Sequence, residues 1–316
     1  MLSVTIRICG SGSYDISQLV TAISYEDNIN KSGIVTFNML SSKDVSPAEG
    51  SQILLSYAGN VYFCGYIFRI EASQKAESKI TAYDQLRYFK ASETYVFSGI
   101  TASEAVMQIC NDFMVTYGEI QNTGYKLPEL VFDNQNVLDI TSDCLTATIR
   151  STGEMYYIKD VAGEVVLRNI KSAVSDIIID PQWLLYGYSY ERSIDDDTYN
   201  QIKLLRDNKE TGERELFVAK DSSTIAKWGL LQYSEKVDDG MNEEQIKAMA
   251  DGYLQLKNKP TRKLSVECIG HKNIRAGNVI CVSIPQQGIY DFLLCTSASH
   301  TFKSTGHTVK AEFKLV

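Results

Sequence analysis

Residues 53–70 read ILLSYAGNVYFCGYIFRI. Two apolar runs, ILLSY and VYFCGYIFRI, flank Ala58-Gly59-Asn60, and this spacing predicts a β-hairpin closed by a tight turn. The second run is apolar on both parities, with Phe63 and Ile67 on one face and Tyr62, Tyr66 and Phe68 on the other. A strand with one wet face alternates polar and apolar residues, so this strand needs cover on both sides. Gly65, in its middle, marks a bend or bulge. One parity can fill a barrel. The other calls for a neighbouring subunit or this chain's own insert.

Working outward, VTIRI, IVTFNML and KITAYD are further strands, and residues 1–95 read as one β-barrel-sized region. Residues 96–185 change character. Thr101 and Glu104 form a capping box opening a helix whose Val106, Ile109, Cys110 and Phe113 share one face. A second helix is predicted over about 136–150, with Val137, Ile140, Cys144 and Leu145 on one face, followed by the hairpin EMYYIKDVAGEVVLRNI. Residues 186–316 return to strands. YNQIKLLRD and ELFVAKD flank the polar turn NKETGER, SSTIAKW is a short helix stopped by Gly229, and Asn242 with Gln245 opens a longer helix ending near Lys257 and Pro260. RKLSVEC, NVICVSIP, YDFLLCTSASH and HTVKAEFKLV are strands. The expected fold class is α+β, mainly β, with barrel regions at 1–95 and 186–316 flanking a small α/β insert at 96–185.

The chain has 316 residues, seven cysteines, 19 tyrosines, 5 prolines and a net charge of −8. The odd, irregularly spaced cysteines favour reduced thiols made in a cytosol over a disulfide framework. The acidic balance disfavours a dedicated nucleic-acid binder, which needs clustered Lys and Arg, but suits a surface past which DNA slides. No apolar run approaches the roughly 18 residues that span a bilayer, and MLSVTIRICG lacks the charged and apolar regions of a signal peptide. No stable membrane insertion is expected.

The chemical candidates cluster near the end of the chain. CIGHKNIRAGNVIC (268–281) places Cys268, His271 and Cys281 close together, with Cys295, His300 and His307 following. On strands, Leu264, Val266 and Cys268 share an inward face, while Ile280, Val282 and Ile284 form the next apolar face and send Cys281 the other way. Zinc ligands need to converge, usually from short knuckles such as C-x₂-C, and none is present. A Cys–His nucleophile pair lacks an orienting third group. The expected reading is therefore small core residues, with no metal, cofactor or catalytic residue. Gly10-Ser11-Gly12-Ser13 lacks the Gly-Lys-Ser/Thr ending of a phosphate loop and reads as a turn. Asp195-Asp196-Asp197 reads as a solvated turn rather than a calcium site, and Glu243-Glu244 suits the first turn of a helix. Trp183, Trp228 and the tyrosines are expected in core or interface positions.

Six stretches carry a resemblance: ITAYDQLRYFKASETYVF, TASEAVMQICNDF, EMYYIKDVAGEVVLRNI, DSSTIAKWGLLQYSEKVDD, ADGYLQLKNKPTRKLSVECIG and RAGNVICVSIP. In content, order and spacing the chain resembles, over nearly its whole length, the XkdQ/YqbQ-type proteins of PBSX-like prophages, the baseplate hubs of contractile phage tails and phage-tail-like bacteriocins. That resemblance implies two tail-tube-like barrels in one chain. It also implies a homotrimeric ring that adapts a sixfold tail tube to a threefold spike around a central channel. The implied partners are the tube protein, the spike protein and other baseplate proteins, in a virion or tail-like particle made in the host bacterial cytoplasm. DNA passes without specific binding, and no enzyme activity is expected. Two other classes are weighed against it: a tail-associated cell-wall hydrolase, and a peripheral carbohydrate- or receptor-binding β-protein.

Overall fold

The hairpin of residues 53–70 forms, in a computed structural model describing residues 2–8, 12–72, 74, 76–208, 212–237, 239–303 and 306–314, as strands Gln52–Tyr57 and Asn60–Ala72. Ala58 and Gly59 turn the chain with φ of 50° and 80°. Two successive left-handed residues give a turn whose twist matches that of the flanking strands. Two bulges then break the alternation. Register shifts lie between Leu55↔Phe63 and Ser56↔Val61, and between Ile67↔Ala82 and Arg69↔Thr81. An extra residue moves the side chains that follow it to the opposite face. Neighbouring Tyr62 and Phe63 are consequently both buried. Gly65 answers a close approach, since a Cβ there would lie 2.3 Å from the Tyr83 carbonyl oxygen. At Tyr66 and Phe68 the second face is covered from within the chain, not by the insert but by the segment just before it: Phe68 meets the Tyr83 and Tyr88 rings and the Arg87 guanidinium, and Tyr66 meets Tyr88.

This hairpin belongs to a 13-stranded sheet. Its order runs from Leu185–Ser193 through Thr261–Ile269, Gly306–Lys314, Ile289–Lys303, Val20–Asn28, Ile34–Leu40, Glu77–Tyr83, Asn60–Ala72, Gln52–Tyr57 and Leu2–Ile8 to Gly12–Asp15. Ile289–Lys303 is the junction. Its first half pairs with Val279–Ile284, its second half with Val20–Asn28, and a bulge separates Cys295 from Ser297. Val174–Ile179 pairs in parallel with Val279–Ile284. Strands from 1–95 and 186–316 therefore share one ladder. By contacts the chain divides into Met1–Ser189 with Ser265–Val316, and Tyr190–Leu264. The borders expected at 95/96 and 185/186 both lie inside the first of these units.

The first unit has a sheet core of Ile6, Ile23, Phe37, Ile53, Leu55, Ile67 and Phe302, all at most 2% exposed. Each such side chain contributes about 2 kcal/mol of burial. A separate cluster fills the insert. Helix α1, Ala102–Asp112, starts at the expected capping box: Glu104 N–H donates to Thr101 Oγ1 at 3.2 Å, and Thr101 N–H donates to the Glu104 carboxylate at 2.7 Å. Helix α2, Val137–Thr152, is capped by Asn136 and stopped by left-handed Gly153. Val106, Ile109, Cys110, Ile140 and Cys144 are fully buried between the two helices and the strands Tyr156–Val161 and Glu164–Asn169.

The second unit is a three-stranded sheet in the order Arg214–Lys220, Gln201–Asp207, Gln232–Lys236. Short helix α3, Ser222–Trp228, ends at Gly229, and helix α4, Glu243–Lys257, packs Ile246 and Ala250 onto Ile202, Leu204 and Ala219. Residues 209–211 of the expected NKETGER turn, and 10–11 of the Gly10–Ser13 turn, lie outside the described residues. Among the described residues no helix is long and apolar enough to cross a membrane.

Candidate functional site

The first unit holds a buried ionic knot drawn from all three sequence regions. Asp27 comes from strand Val20–Asn28, Lys159 from strand Tyr156–Val161, and Arg275 from the turn before Val279. Lys159 Nζ donates to Asp27 Oδ1 at 2.7 Å and to the Ala276 carbonyl at 2.8 Å. Arg275 Nε donates to Asp27 Oδ2 at 2.6 Å, and Ala276 N–H donates to the same oxygen at 3.1 Å. Arg275 also reaches the Tyr25 hydroxyl and the Tyr62 carbonyl, both at 3.1 Å, and lies over both rings. Burial opposes the Asp27 charge, but Arg275 and Lys159 more than offset it and hold the carboxyl well below its usual range. Burial lowers Lys159, with Asp27 acting against that. A charge this deep needs its partners, so the knot ties the insert hairpin to both flanking regions.

Two more acids are buried close by. Asp84 caps the turn Gln85–Lys90, accepting from Leu86 N–H at 3.0 Å and from Gly33 N–H. Asp160 accepts from Gly163 N–H at 2.7 Å. Burial pushes Asp160 up to about 6, and burial with the charge of Asp160 raises Asp84 well above the carboxylate range.

An aromatic layer adjoins the knot. His300 Nδ1 and His307 Nε2 are 2.9 Å apart, so one ring donates and the other accepts. Tyr62 and Phe302 pack against both rings. Burial and the charge of Arg275 lower both imidazoles, His307 to about 4, so the pair is neutral at pH 7. Gly270 makes room: a Cβ there would meet the His307 ring at 2.1 Å.

The other residues singled out in the sequence are dispersed. Cys268 and Cys295 are fully buried, with thiols raised by burial, that of Cys268 to about 12. Cys281 lies opposite Phe292, on the other neighbouring strand from Ile178. The His271 ring lies tilted against Trp183, with ring centres 6.1 Å apart. Of this group, His300 and His307 come into hydrogen-bond contact, and among the described residues no three His, Cys, Asp or Glu side chains converge as a metal-ligand set. Asp196 pairs with Lys263 at 2.8 Å and Asp197 with Lys257. Glu243 and Glu244 occupy the first turn of α4, as expected. Sequence reasoning did not single out Asp27, Lys159 or Arg275. The available signal was Lys159-Asp160 inside the apolar run YYIKDV, where two charges interrupt a buried strand.

One surface stands out. Val174, Ile178, Tyr290 and Phe292 are 59%, 39%, 74% and 55% exposed. They sit on two strands, Val174–Ile179 and Ile289–Lys303, on either side of Val279–Ile284, with Ile178, the buried Cys281 and Phe292 in one cross-strand row. Trp183 and Tyr186, also well exposed, follow on in the chain. Such contiguous apolar surface marks a contact face.

A family model described as YQBQ-like matches residues 23–314. Two proteins of Bacillus subtilis strain 168, the uncharacterized protein YqbQ and the phage-like element PBSX protein XkdQ, are each 32% identical over 269 residues, covering 84% of this chain and 81% of theirs. Among solved structures, the prophage MuSo2 43 kDa tail protein of Shewanella oneidensis shares the fold with a TM-score of 0.71 at 12% identity, over 98% of each chain. A component of the E. coli type VI secretion system, itself structurally similar to T4 bacteriophage tail proteins gp27 and gp5, matches with a TM-score of 0.59 at 10% identity, over 94% of this chain and 73% of that one.

Proposed function

Because the chain belongs to the YqbQ-like family, we propose that it is a structural protein of a phage-type tail, the hub of the baseplate. In this reading three copies form a ring around a channel, meeting the tail tube on one side and the spike on the other. The observation that carries it is the whole-length match to a prophage tail protein, with a TM-score of 0.71 over 98% of both chains. Three physical features support it. The sheet joins strands from both ends of the chain into one ladder, which suits a stiff ring segment. The exposed apolar face of Val174, Ile178, Tyr290 and Phe292 suits burial in an assembly. The net charge of −8 suits a passage for DNA without retention.

The chain acts without chemistry of its own in this reading, as part of a particle made in the host bacterial cytoplasm. The knot and the histidine pair are internal fastenings. The test is to locate the chain in purified particles by labelling a tagged copy. Label at the junction of tube and spike supports the hub. Label on peripheral fibres would place the chain among receptor binders. Clearing of purified peptidoglycan by the isolated chain, abolished by one carboxylate substitution, would make it a hydrolase.

A further inference from the structure

The second unit has two sheet edges of different character. The edge Gln232–Lys236 exposes Gln232, Ser234 and Lys236, the polar composition that keeps an edge from pairing with other chains. The edge Arg214–Lys220 exposes Arg214 and Lys220 at its ends and, between them, Leu216 at 53% and Val218 at 48%. It pairs with Gln201–Asp207 on one side, and no described strand lies on the other.

The hydrogen-bond phase shows which backbone groups face outward. Asn208 N–H donates to the Glu213 carbonyl, and Asp221 N–H donates to the Asn200 carbonyl. In an antiparallel pair, directly bonded residues alternate with unbonded ones. The odd-numbered residues 213–221 therefore bond inward. Arg214, Leu216, Val218 and Lys220 point their N–H and C=O groups to the open side. Beside that edge runs a groove of about 390 Å³ between the strand and α4, lined by Leu216, Val218, Ala250, Glu243, Lys247 and Asp251 among others. Lys247 is paired with Glu243, while Asp251 has no ionic partner among the described residues. The groove is thus apolar on its strand side, and Asp251 is the one uncompensated charge among the described residues of its helix side.

We propose that the edge Arg214–Lys220 takes up an extended segment of another protein as a fourth strand. Its apolar residues lie beside Leu216 and Val218, and a basic residue of the alternate set faces Asp251. An added strand gains affinity from main-chain hydrogen bonds and specificity from alternate side-chain pockets, and this edge offers both. The charge of the groove selects a basic segment.

The test uses the isolated full-length chain and a fluorescein-labelled, end-blocked peptide of four Lys-Val repeats, read by fluorescence anisotropy. Saturable binding is expected. Methylating the peptide nitrogens at alternate residues keeps its charge and apolar content but removes donors, and is expected to weaken binding by about tenfold or more, as loss of one or two hydrogen bonds implies. Val218→Pro removes an outward N–H at an edge position that tolerates proline, and is expected to weaken binding similarly with an unchanged circular dichroism spectrum and melting temperature. Asp251→Lys provides a second variant away from the strand, with the same expected direction. Absence of binding, or equal binding of the N-methylated peptide, would overturn the proposal. So would a concentration-dependent dimer of the free chain that Leu216→Lys abolishes, because the edge would then serve self-pairing.

Discussion

Asp27 is 2% exposed, and its two cationic partners lie 132 and 248 residues away in sequence. Removing one partner leaves a buried charge short of compensation, so Lys159→Met is expected to cost about 3–5 kcal/mol, whereas Asp27→Asn combined with Lys159→Met is expected to cost less than the sum of the single changes. Denaturant unfolding of the three variants measures this, and additive losses would count against a coupled knot. The histidine pair makes a second prediction. Both imidazoles are held below their unfolded value near 6.5, His307 at about 4. The unfolded chain therefore binds more protons between about pH 4 and 6.5, and this contribution is complete above 6.5 and lost as pH falls towards 4. Asp160, raised to about 6, acts in the opposite sense over nearly the same range, because its folded form takes up the proton first. The informative quantity is the difference between variants. His307→Gln is expected to lose part of the positive slope of stability against pH, and an unchanged slope would contradict a neutral buried pair.

Among the elements, the capping box of α1 and the approach at Gly65 give predictions with known causes. Thr101→Ala removes the hydroxyl that accepts from Glu104 N–H and is expected to cost about 1 kcal/mol in chemical denaturation. Gly65→Ala drives a methyl group into the Tyr83 carbonyl and is expected to cost about 1–3 kcal/mol. The cap was legible in sequence because caps, tight turns and apolar periods are local. For the same reason the hairpin at 53–70, α1, α2 and α4 lie where the pattern puts them. Gly65, by contrast, reads as a bend or bulge and instead answers a close approach, with the bulges on either side of it. Strand Val20–Asn28 was not legible. Its register shifts between Thr21 and Ser24, Ala22 has φ of 51°, and its buried positions include the charged Asp27, so neither alternation nor composition marks it as a strand. The bulges at Tyr62 and Phe68 escaped for a related reason: an extra residue changes which face is buried without changing the run of apolar letters. Of the candidate site, the clustering of Cys and His near the end of the chain was visible. The knot was not, because a single sequence holds no trace of which Asp meets which Lys across a hundred residues.

At the scale of the whole molecule, the joining of first and last regions through Val20–Asn28 and Ile289–Lys303 matters most. A chain built this way transmits load across one sheet rather than through a linker. Its exposed apolar face at Val174, Ile178, Tyr290 and Phe292 is then expected to disappear on assembly. Closed cyclic assembly from one chain needs two complementary surfaces on each copy, related by the ring's rotation. In the proposed assembly, three copies of this chain form the ring between tube and spike. Its most direct test is a single-particle map of the intact tail, reconstructed without imposed symmetry, in which copies of the chain are counted at the tube's end. Three copies enclosing a channel are predicted. One copy, six copies, or density for the chain only at the periphery of the baseplate would contradict the account.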